Sequence, residues 1–388
     1  MKPNGNVNKI PRFSGDPKAM RVYVEAAVPS CPPRHLETEK LRKYFERNKV
    51  KLVDSPSKAG IMVLNTCALV ESLERRVLER IRELQAFPGK LIVVGCIKYI
   101  NNKALRAVFD GISLAPKELD QIDSLFPEFK HKFSAEGDVC SWSGPCVPGD
   151  FAGDLGKAEL SGEKHWFVQA SQGCEMSRHC SYCAIWKSTG KYISKPLEVC
   201  LEEVKRGVGR KTLHLMDSGA YGTDIGLSFP VLLRAVLHAA GDSGIFLHCL
   251  NPKWVIKYEK ELAALVRDGR IKNIRFAHQS GSDRILRLMD RPYSARDSLR
   301  CVLALKKALP SLKTVTQLMV GFPSETEADF RKTVNLVNEA EFDDLDVFAF
   351  SPRPGTAACR LPGRLSPEVI ARRVQTLERL VRRAGPRE

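Results

Sequence analysis

The chain has 388 residues, 43% of them hydrophobic, and its 61 Lys and Arg against 45 Asp and Glu give a formal net charge of +16. This length exceeds what one hydrophobic core usually fills, so two domains are expected. No apolar run is long enough to span a membrane, and residues 1–20 lack the apolar block of a secretion signal, which predicts a cytoplasmic protein without membrane contact. The charge either attracts an anionic or nucleoside-containing partner or only keeps the protein soluble.

Residues 1–20 are predicted to be a disordered tail, and an α/β domain is expected to follow at 21–139. Apolar runs at 21–28, 59–67 and 90–96 alternate with segments at 35–48 and 68–87 whose apolar residues have helical spacing. Such alternation favours a parallel sheet with helices on both faces, a three-layer Rossmann or flavodoxin-like arrangement.

Residues 140–164 are rich in Gly, Pro and Ser and are predicted to be a linker. Six further strand patterns, at 166–171, 212–218, 244–250, 273–280, 313–322 and 344–350, alternate with helical patterns. This series predicts an incomplete (βα)6 TIM-like barrel over 165–388, ending in a basic helix. Reactive groups in such barrels lie on the loops that follow the strands.

Cys174, Cys180 and Cys183 form a CxxxxxCxxC loop directly after the first of these strands. Three thiolates can hold a [4Fe–4S] cluster and leave one iron open, whereas a structural zinc site needs four ligands. The alternatives are a zinc site completed by His179 or a distant residue, and cysteines buried in the core.

Cys31, Cys67 and Cys96 each lie at or just after the end of one of the first three strands. Because parallel strands end at one edge of a sheet, these thiols are expected to meet and bind a second cluster. Buried cysteines that only fill the core are the alternative. The other six have no such setting: Cys200, Cys249 and Cys301 are expected to pack in the core, and no role is assigned to Cys140, Cys146 or Cys359.

Residues 21–385 resemble the radical S-adenosylmethionine methylthiotransferases, which modify tRNA adenosines or a ribosomal-protein aspartate. The matching segments, in the family's order, are SCPPRHLETEKL, NTCALV, VVGC, SKP, DSGAYGTD, QSGSDRILRLMDRPY, VGFPSETEADF and FSPRPGTAA. The resemblance implies that the cluster on Cys174, Cys180 and Cys183 binds and cleaves S-adenosylmethionine to a radical that abstracts a substrate hydrogen. It also implies that the catalytic cysteines Cys31, Cys67 and Cys96 hold the cluster that carries the delivered sulfur.

The resemblance further implies a set of S-adenosylmethionine contacts, each of which has a purely structural alternative as a turn or core residue. These residues are Tyr182, Ser218, Gly219, Gln279, Ser280, Ser282, Arg291, Gly321, Phe322, Pro323 and Glu325. A flavodoxin or ferredoxin electron donor, a sulfide or persulfide donor and a monomeric state are also expected.

The sequence departs from the family at several positions. Its cysteine loop is longer than the usual CxxxCxxC, Trp186 replaces a proline, Thr189 and Ile193 replace arginines, Gln317 replaces an acid, and Arg34 replaces an asparagine. After residue 358 only the basic helix follows, without the family's C-terminal RNA-gripping (TRAM-type) β-barrel module. We therefore expect sulfur insertion into a small nucleoside, nucleotide or peptide. A tRNA methylthiotransferase with a shortened C-terminus and a non-catalytic metal- or nucleic-acid-binding protein are the alternatives.

Overall fold

The computed structural model describes residues 12–28, 31–142, 165–176, 179–207, 210–214 and 219–384. They divide into a first unit, up to Asp138 together with Lys187–Thr189, and a second unit, Val139–Trp186 with the residues from Gly190 onward. None of the helices in the described ranges combines the length and apolar character that crossing a membrane requires.

The first unit is built on a parallel sheet of five strands in the order β2-β1-β3-β4-β5. Its strands and helices are β1 (Arg21–Ala26), α1 (Pro32–Arg47), β2 (Lys51–Leu52), β3 (Ile61–Thr66), α2 (Glu71–Gln85), β4 (Lys90–Gly95), α3 (Ile97–Ile100), α4 (Asn102–Arg106), β5 (Ile112–Leu114) and α5 (Ile122–Leu125). Every residue of the central strand β3 is buried, as expected for a strand covered on both faces. The three strands and two helices predicted from the sequence are confirmed within a few residues.

Helices pack on this sheet through regularly spaced apolar residues. On α2, the residues Leu73, Val77, Ile81 and Leu84 recur at three- and four-residue spacing and are buried. Helix α1 begins at Pro32, a position where the fixed backbone of proline favours helix initiation. Cys31 is thereby placed at the N-cap, directly before the first turn of α1.

The second unit contains a seven-stranded sheet in the order β14-β13-β12-β11-β10-β7-β6, in which only β6 is antiparallel to its neighbour. The elements from Val139 onward are β6 (Val139–Trp142), β7 (His165–Gln169), β8 (Ser171–Gln172), α6 (Trp186–Thr189), β9 (Ile193–Ser194), α7 (Leu197–Lys205), β10 (Arg210–His214), α8 (Phe229–Ala239), β11 (Ile245–Leu250), α9 (Pro252–Lys257), α10 (Glu259–Val266), β12 (Ile271–Gln279), α11 (Asp283–Leu288), α12 (Ala295–Ala308), β13 (Lys313–Val320), α13 (Glu327–Ala340), β14 (Asp344–Ala349) and α14 (Pro367–Ala384). Of these, Lys187–Thr189 of α6 belong to the first unit. The six predicted parallel strands occur in chain order across the sheet, and the incomplete barrel is confirmed.

Two sequence expectations need correction. The first three residues of the expected linker, 140–142, belong to strand β6, which pairs with β7 and shields the edge of the parallel sheet. Residues 143–164 lie outside the described part of the chain, and the predicted domain limits remain a prediction.

Cys249 is only partly buried, with a φ of 54°, and the Gln317 Nε2 atom lies 3.7 Å from its sulfur, so it is not a core residue. Cys200 and Cys301 are buried in the core as expected.

The C-terminal helix α14 covers the end of the sheet formed by β13 and β14. Its buried Leu377, with Ile370, Val374 and Leu380, packs against Leu318 and Val320 of β13. This apolar contact shows that α14 is an integral part of the second unit.

Candidate active site

The first unit brings the three N-terminal cysteines to the ends of neighbouring strands. Cys31 stands before α1, Cys67 directly follows β3, and Cys96 directly follows β4. The backbone N–H of Cys96 donates to the Thr66 carbonyl at 3.0 Å, which joins two of the loops. Cys67 and Cys96 are buried and Cys31 is partly buried. Their placement at one edge of a parallel sheet agrees with the expected convergence.

A buried cation stands among these thiols. Arg34, on the first turn of α1, is 3% exposed and pairs with Glu37 at 2.6 Å. Its Nε and Nη1 atoms are buried without a hydrogen-bond partner. Burial alone would lower the pKa of Arg34, but Cys96, Glu37, Cys31 and Cys67 together raise it, so the guanidinium is charged.

In the second unit, Cys174 forms a β-bridge with Lys191, and the N–H of Cys183 donates to the Cys180 carbonyl at 3.0 Å. Burial raises the pKa of the Cys183 thiol to about 11, with Cys180 adding to the shift. A metal that binds here must therefore displace a proton from this thiol.

Arg291 is the cation of the second cysteine loop. Its Nη1 atom donates to the Cys180 sulfur at 3.3 Å, its Nη2 atom to the Ala277 carbonyl at 2.6 Å, and its Nε atom to the Tyr293 hydroxyl at 3.0 Å. Burial opposes the charge, yet Tyr293, Tyr182 and Cys180 raise the pKa of Arg291 further. These contacts hold a positive charge against Cys180, the geometry expected beside an anionic thiolate ligand.

The residues that flank this loop are packed in a small apolar cluster. Tyr182 lies against Ile285, Met289, Phe322 and Ala358. Burial raises the pKa of Tyr182 well above its usual value, so its hydroxyl stays protonated. Phe322 is fully buried and meets Phe350 edge to face, and Pro323 is also buried. Tyr182 and Phe322, predicted separately as cofactor contacts, therefore share one cluster.

The turn that follows β12 is fixed by protein partners. Gln279 is buried with a φ of 69°. The Ser282 hydroxyl donates to Asp329 Oδ1 at 2.6 Å, and the Ser282 N–H donates to the Ser280 hydroxyl at 3.1 Å. Ser280 and Ser282 thus already have structural bonds, and their contact with a cofactor stays a prediction.

The loop that follows β13 is held by α14. Gly321 has a φ of 78°, and a Cβ added there would lie 2.6 Å from Ile370. Its N–H donates to Glu325 at 2.8 Å, and Glu325 in turn pairs with Arg373 of α14 at 2.6 Å. The small residue at 321 therefore makes room for Ile370, and its predicted approach to adenine remains a prediction.

Gly219 also lies where a side chain does not fit. Its φ is 95°, and an added Cβ would lie 2.2 Å from Trp254. Ser218 lies outside the described residues.

Two residues of the site, Tyr293 and the buried Arg373, were not predicted from the sequence. The burial of Arg373 could have been predicted, because residue 373 lies on the same helix face as the apolar residues Ile370, Val374 and Leu377.

Each unit offers donors of the kind that hold an iron–sulfur cluster. In the described ranges no three His, Cys, Asp or Glu side chains stand where they could hold one metal ion. The thiolates of a [4Fe–4S] cluster bind different irons, so they need not converge on one point. Each unit instead combines three cysteines with a buried arginine, Arg34 or Arg291, that suits an anionic cluster.

Comparisons with known proteins agree with this architecture. Residues 168–337 match the radical SAM superfamily, and residues 23–115 match a family described as uncharacterized protein family UPF0004. The solved structure of a cobalamin-dependent S-adenosylmethionine radical enzyme, OxsB, has a TM-score of 0.55 at 11% identity. The match covers 94% of this chain and 56% of that one, and it shows the fold.

Curated relatives give the family. A probable threonylcarbamoyladenosine tRNA methylthiotransferase of Pyrococcus horikoshii is 30% identical over 353 residues, which cover 89% of this chain and 80% of that protein. The ribosomal protein uS12 methylthiotransferase RimO of Moorella thermoacetica is 28% identical, with 92% and 82% covered. The ordered motifs, the two cysteine sets and this similarity together establish that the chain belongs to the radical S-adenosylmethionine methylthiotransferase family.

Proposed function

We propose that this enzyme replaces a C–H bond by a C–S bond in a small nucleoside, nucleotide or peptide substrate. Its family makes it a sulfur-inserting transferase that uses S-adenosylmethionine and two [4Fe–4S] clusters. When bound, these groups supply the radical that removes the hydrogen and the sulfur that is delivered. The observation that supports two cluster sites is the pair of cysteine sets, one in each unit, each beside a buried arginine.

We assign the residues as follows. Cys174, Cys180 and Cys183 hold the cluster that binds S-adenosylmethionine, and Cys31, Cys67 and Cys96 hold the cluster that carries sulfur. Arg291 orients Cys180 through the 3.3 Å hydrogen bond and keeps a positive charge beside it. Tyr182 and Phe322 exclude water from this side of the loop through their apolar cluster.

The small substrate is supported by the residues at three positions where family members carry cations. Ile193 is 62% exposed where the family has arginine, and Thr189 is buried. Lys195, which is retained, is paired with Glu203 at 2.6 Å. An exposed isoleucine and a neutralised lysine contribute little to phosphate binding, whereas RNA binding depends on free cations.

A tRNA substrate is the second candidate. It is supported by the net charge of +16 and by relatives named as tRNA methylthiotransferases.

We place the enzyme in the cytosol, where the reducing environment keeps six ligand thiols available. A flavodoxin or ferredoxin would supply electrons, and a sulfide or persulfide would replace the sulfur used.

The test is anaerobic turnover with S-adenosylmethionine, reductant and sulfide on three substrate pools: undermodified tRNA, free nucleosides and nucleotides, and short peptides. Mass spectrometry should find sulfur added in one of the two small-molecule pools, and Cys180→Ala should abolish the product. Catalytic modification of tRNA alone would refute the small-substrate proposal.

A matched binding experiment addresses the same choice. Ile193→Arg restores the cation that the family carries at this position. If the substrate is small, the wild-type protein should bind tRNA weakly, and the variant should bind it more tightly with a steeper salt dependence. Tight, steeply salt-dependent binding of tRNA by the wild type would favour the second candidate.

A further inference from the structure

Arg34 has donor capacity that the protein itself does not use. A guanidinium presents five N–H donors in a planar fork, and Glu37 takes only the Nη2 edge of Arg34. The Nε and Nη1 atoms are buried without a partner, on a side chain that is 3% exposed. Burying such donors is unfavourable unless a ligand completes them.

Two side chains hold the backbone of Arg34 in place. The Thr38 hydroxyl and the Asn65 side-chain amide both donate to its carbonyl, at 2.7 and 2.9 Å. The same amide lies 3.3 Å from Glu37 Oε2, so the end of β3 fixes both members of the ion pair. Arg34 is therefore held at the strand edge from which Cys67 and Cys96 extend.

The surroundings favour a small anion. The two donors without a partner, Nε and Nη1, belong to a charged guanidinium, and hydrogen bonds from a charged donor are strongest to an anionic acceptor. Because the guanidinium is almost fully buried, a phosphate group or a macromolecule does not reach it. A ligand of one or two heavy atoms that binds together with the cluster does reach the guanidinium.

We propose that Arg34 is an anion-binding residue that holds a small sulfur anion, hydrosulfide or an alkanethiolate, at the cluster of Cys31, Cys67 and Cys96. This role rests on the proposed function and adds to it a binding residue that this chain has in place of the asparagine typical of the family. The charged fork offers the sulfur two N–H directions that a lysine does not reproduce.

The test uses full-length protein in which Cys174, Cys180 and Cys183 are replaced by alanine, so that only the N-terminal cluster is reconstituted. Sodium hydrosulfide is titrated while the electron paramagnetic resonance spectrum of the reduced cluster is recorded. In this background, Arg34→Met combined with Glu37→Gln removes the cation without leaving an unpaired buried carboxylate. Loss of charge-assisted hydrogen bonds should weaken hydrosulfide binding roughly 10- to 100-fold, and Arg34→Lys should weaken it several-fold.

Arg42→Met is the matched control. Arg42 lies on the same helix and pairs with Glu39 in the same three-residue spacing, at 3.0 Å, but it is exposed. Its replacement should leave the hydrosulfide affinity unchanged.

The outcomes separate the two proposals. The parent is the protein with alanine at Cys174, Cys180 and Cys183 and with Arg34 and Glu37 intact; if it takes up no iron, the proposed function is refuted. If it takes up iron, but its affinity for hydrosulfide lies within twofold of that of the Arg34→Met, Glu37→Gln variant, only the role of Arg34 is overturned. If that variant fails to hold iron, Arg34→Lys decides, and an affinity equal to the parent's overturns the role. Competition by chloride as strong as by hydrosulfide would also overturn the assignment to sulfur.

Discussion

Replacing Arg373 by methionine should destabilise the second unit although the residue lies on a basic helix. Its side chain is 5% exposed and that of Glu325 is 0% exposed, and the two pair at 2.6 Å. Breaking a buried pair by removing one partner typically costs about 3 to 5 kcal/mol, and we expect about 3 at neutral pH because Glu325 keeps its bond from the Gly321 N–H. Exposed Arg372→Met, the neighbouring control, should change stability by less than about 0.5 kcal/mol.

The assay is urea unfolding followed by tryptophan fluorescence, because all four tryptophans lie in the second unit. Burial raises the pKa of Glu325, and loss of Arg373 should raise it further. Arg373 stabilises only the ionised form of Glu325. The loss of stability in Arg373→Met should therefore be largest above the folded-state pKa of Glu325 and should shrink as the pH falls through it. Equal midpoints for the two arginine variants at neutral pH would show that the pair of Arg373 and Glu325 does not stabilise the second unit.

Three further predictions follow from the site. Cys180→Ala should abolish release of 5′-deoxyadenosine, whereas Cys67→Ala should retain it and lose C–S bond formation; equal behaviour of the two would contradict the division of roles. Gly321→Ala should lower the unfolding free energy by roughly 1 to 3 kcal/mol, because φ is 78° and Ile370 occupies the space, and thermal unfolding measures this. Arg291→Gln should make the reduction potential of its cluster more negative in a redox titration, since a charged donor to Cys180 is lost; an unchanged potential would argue against this contact.

The sequence predicted the fold well because the two large sheets are parallel apart from the edge strand β6. Buried strands appear as short apolar runs and the covering helices as apolar residues at three- and four-residue spacing. The same topology placed the N-terminal cysteines, since parallel strands end at one edge. Strand β6 was missed because it is a short edge strand beside a segment rich in Gly, Pro and Ser.

The polar contacts of the site were harder to predict because their partners are distant in sequence. The hydroxyl of Ser282 is bound by Asp329, 47 residues later, and the loop at Gly321 is held by Ile370 and Arg373. Local turn chemistry gives no sign of these partners. Arg34 was recognised as unusual, but only the fold shows that it is buried among three thiols.

We propose that the six cysteines form two independent iron–sulfur sites, on which the other assigned roles depend. Iron should be counted after anaerobic reconstitution of three proteins: the wild type, a variant with alanine at Cys31, Cys67 and Cys96, and one with alanine at Cys174, Cys180 and Cys183. We expect about eight irons per chain in the wild type and about four in each of the two variants. Stoichiometric zinc in place of iron, or loss of all iron when either set is removed, would contradict it.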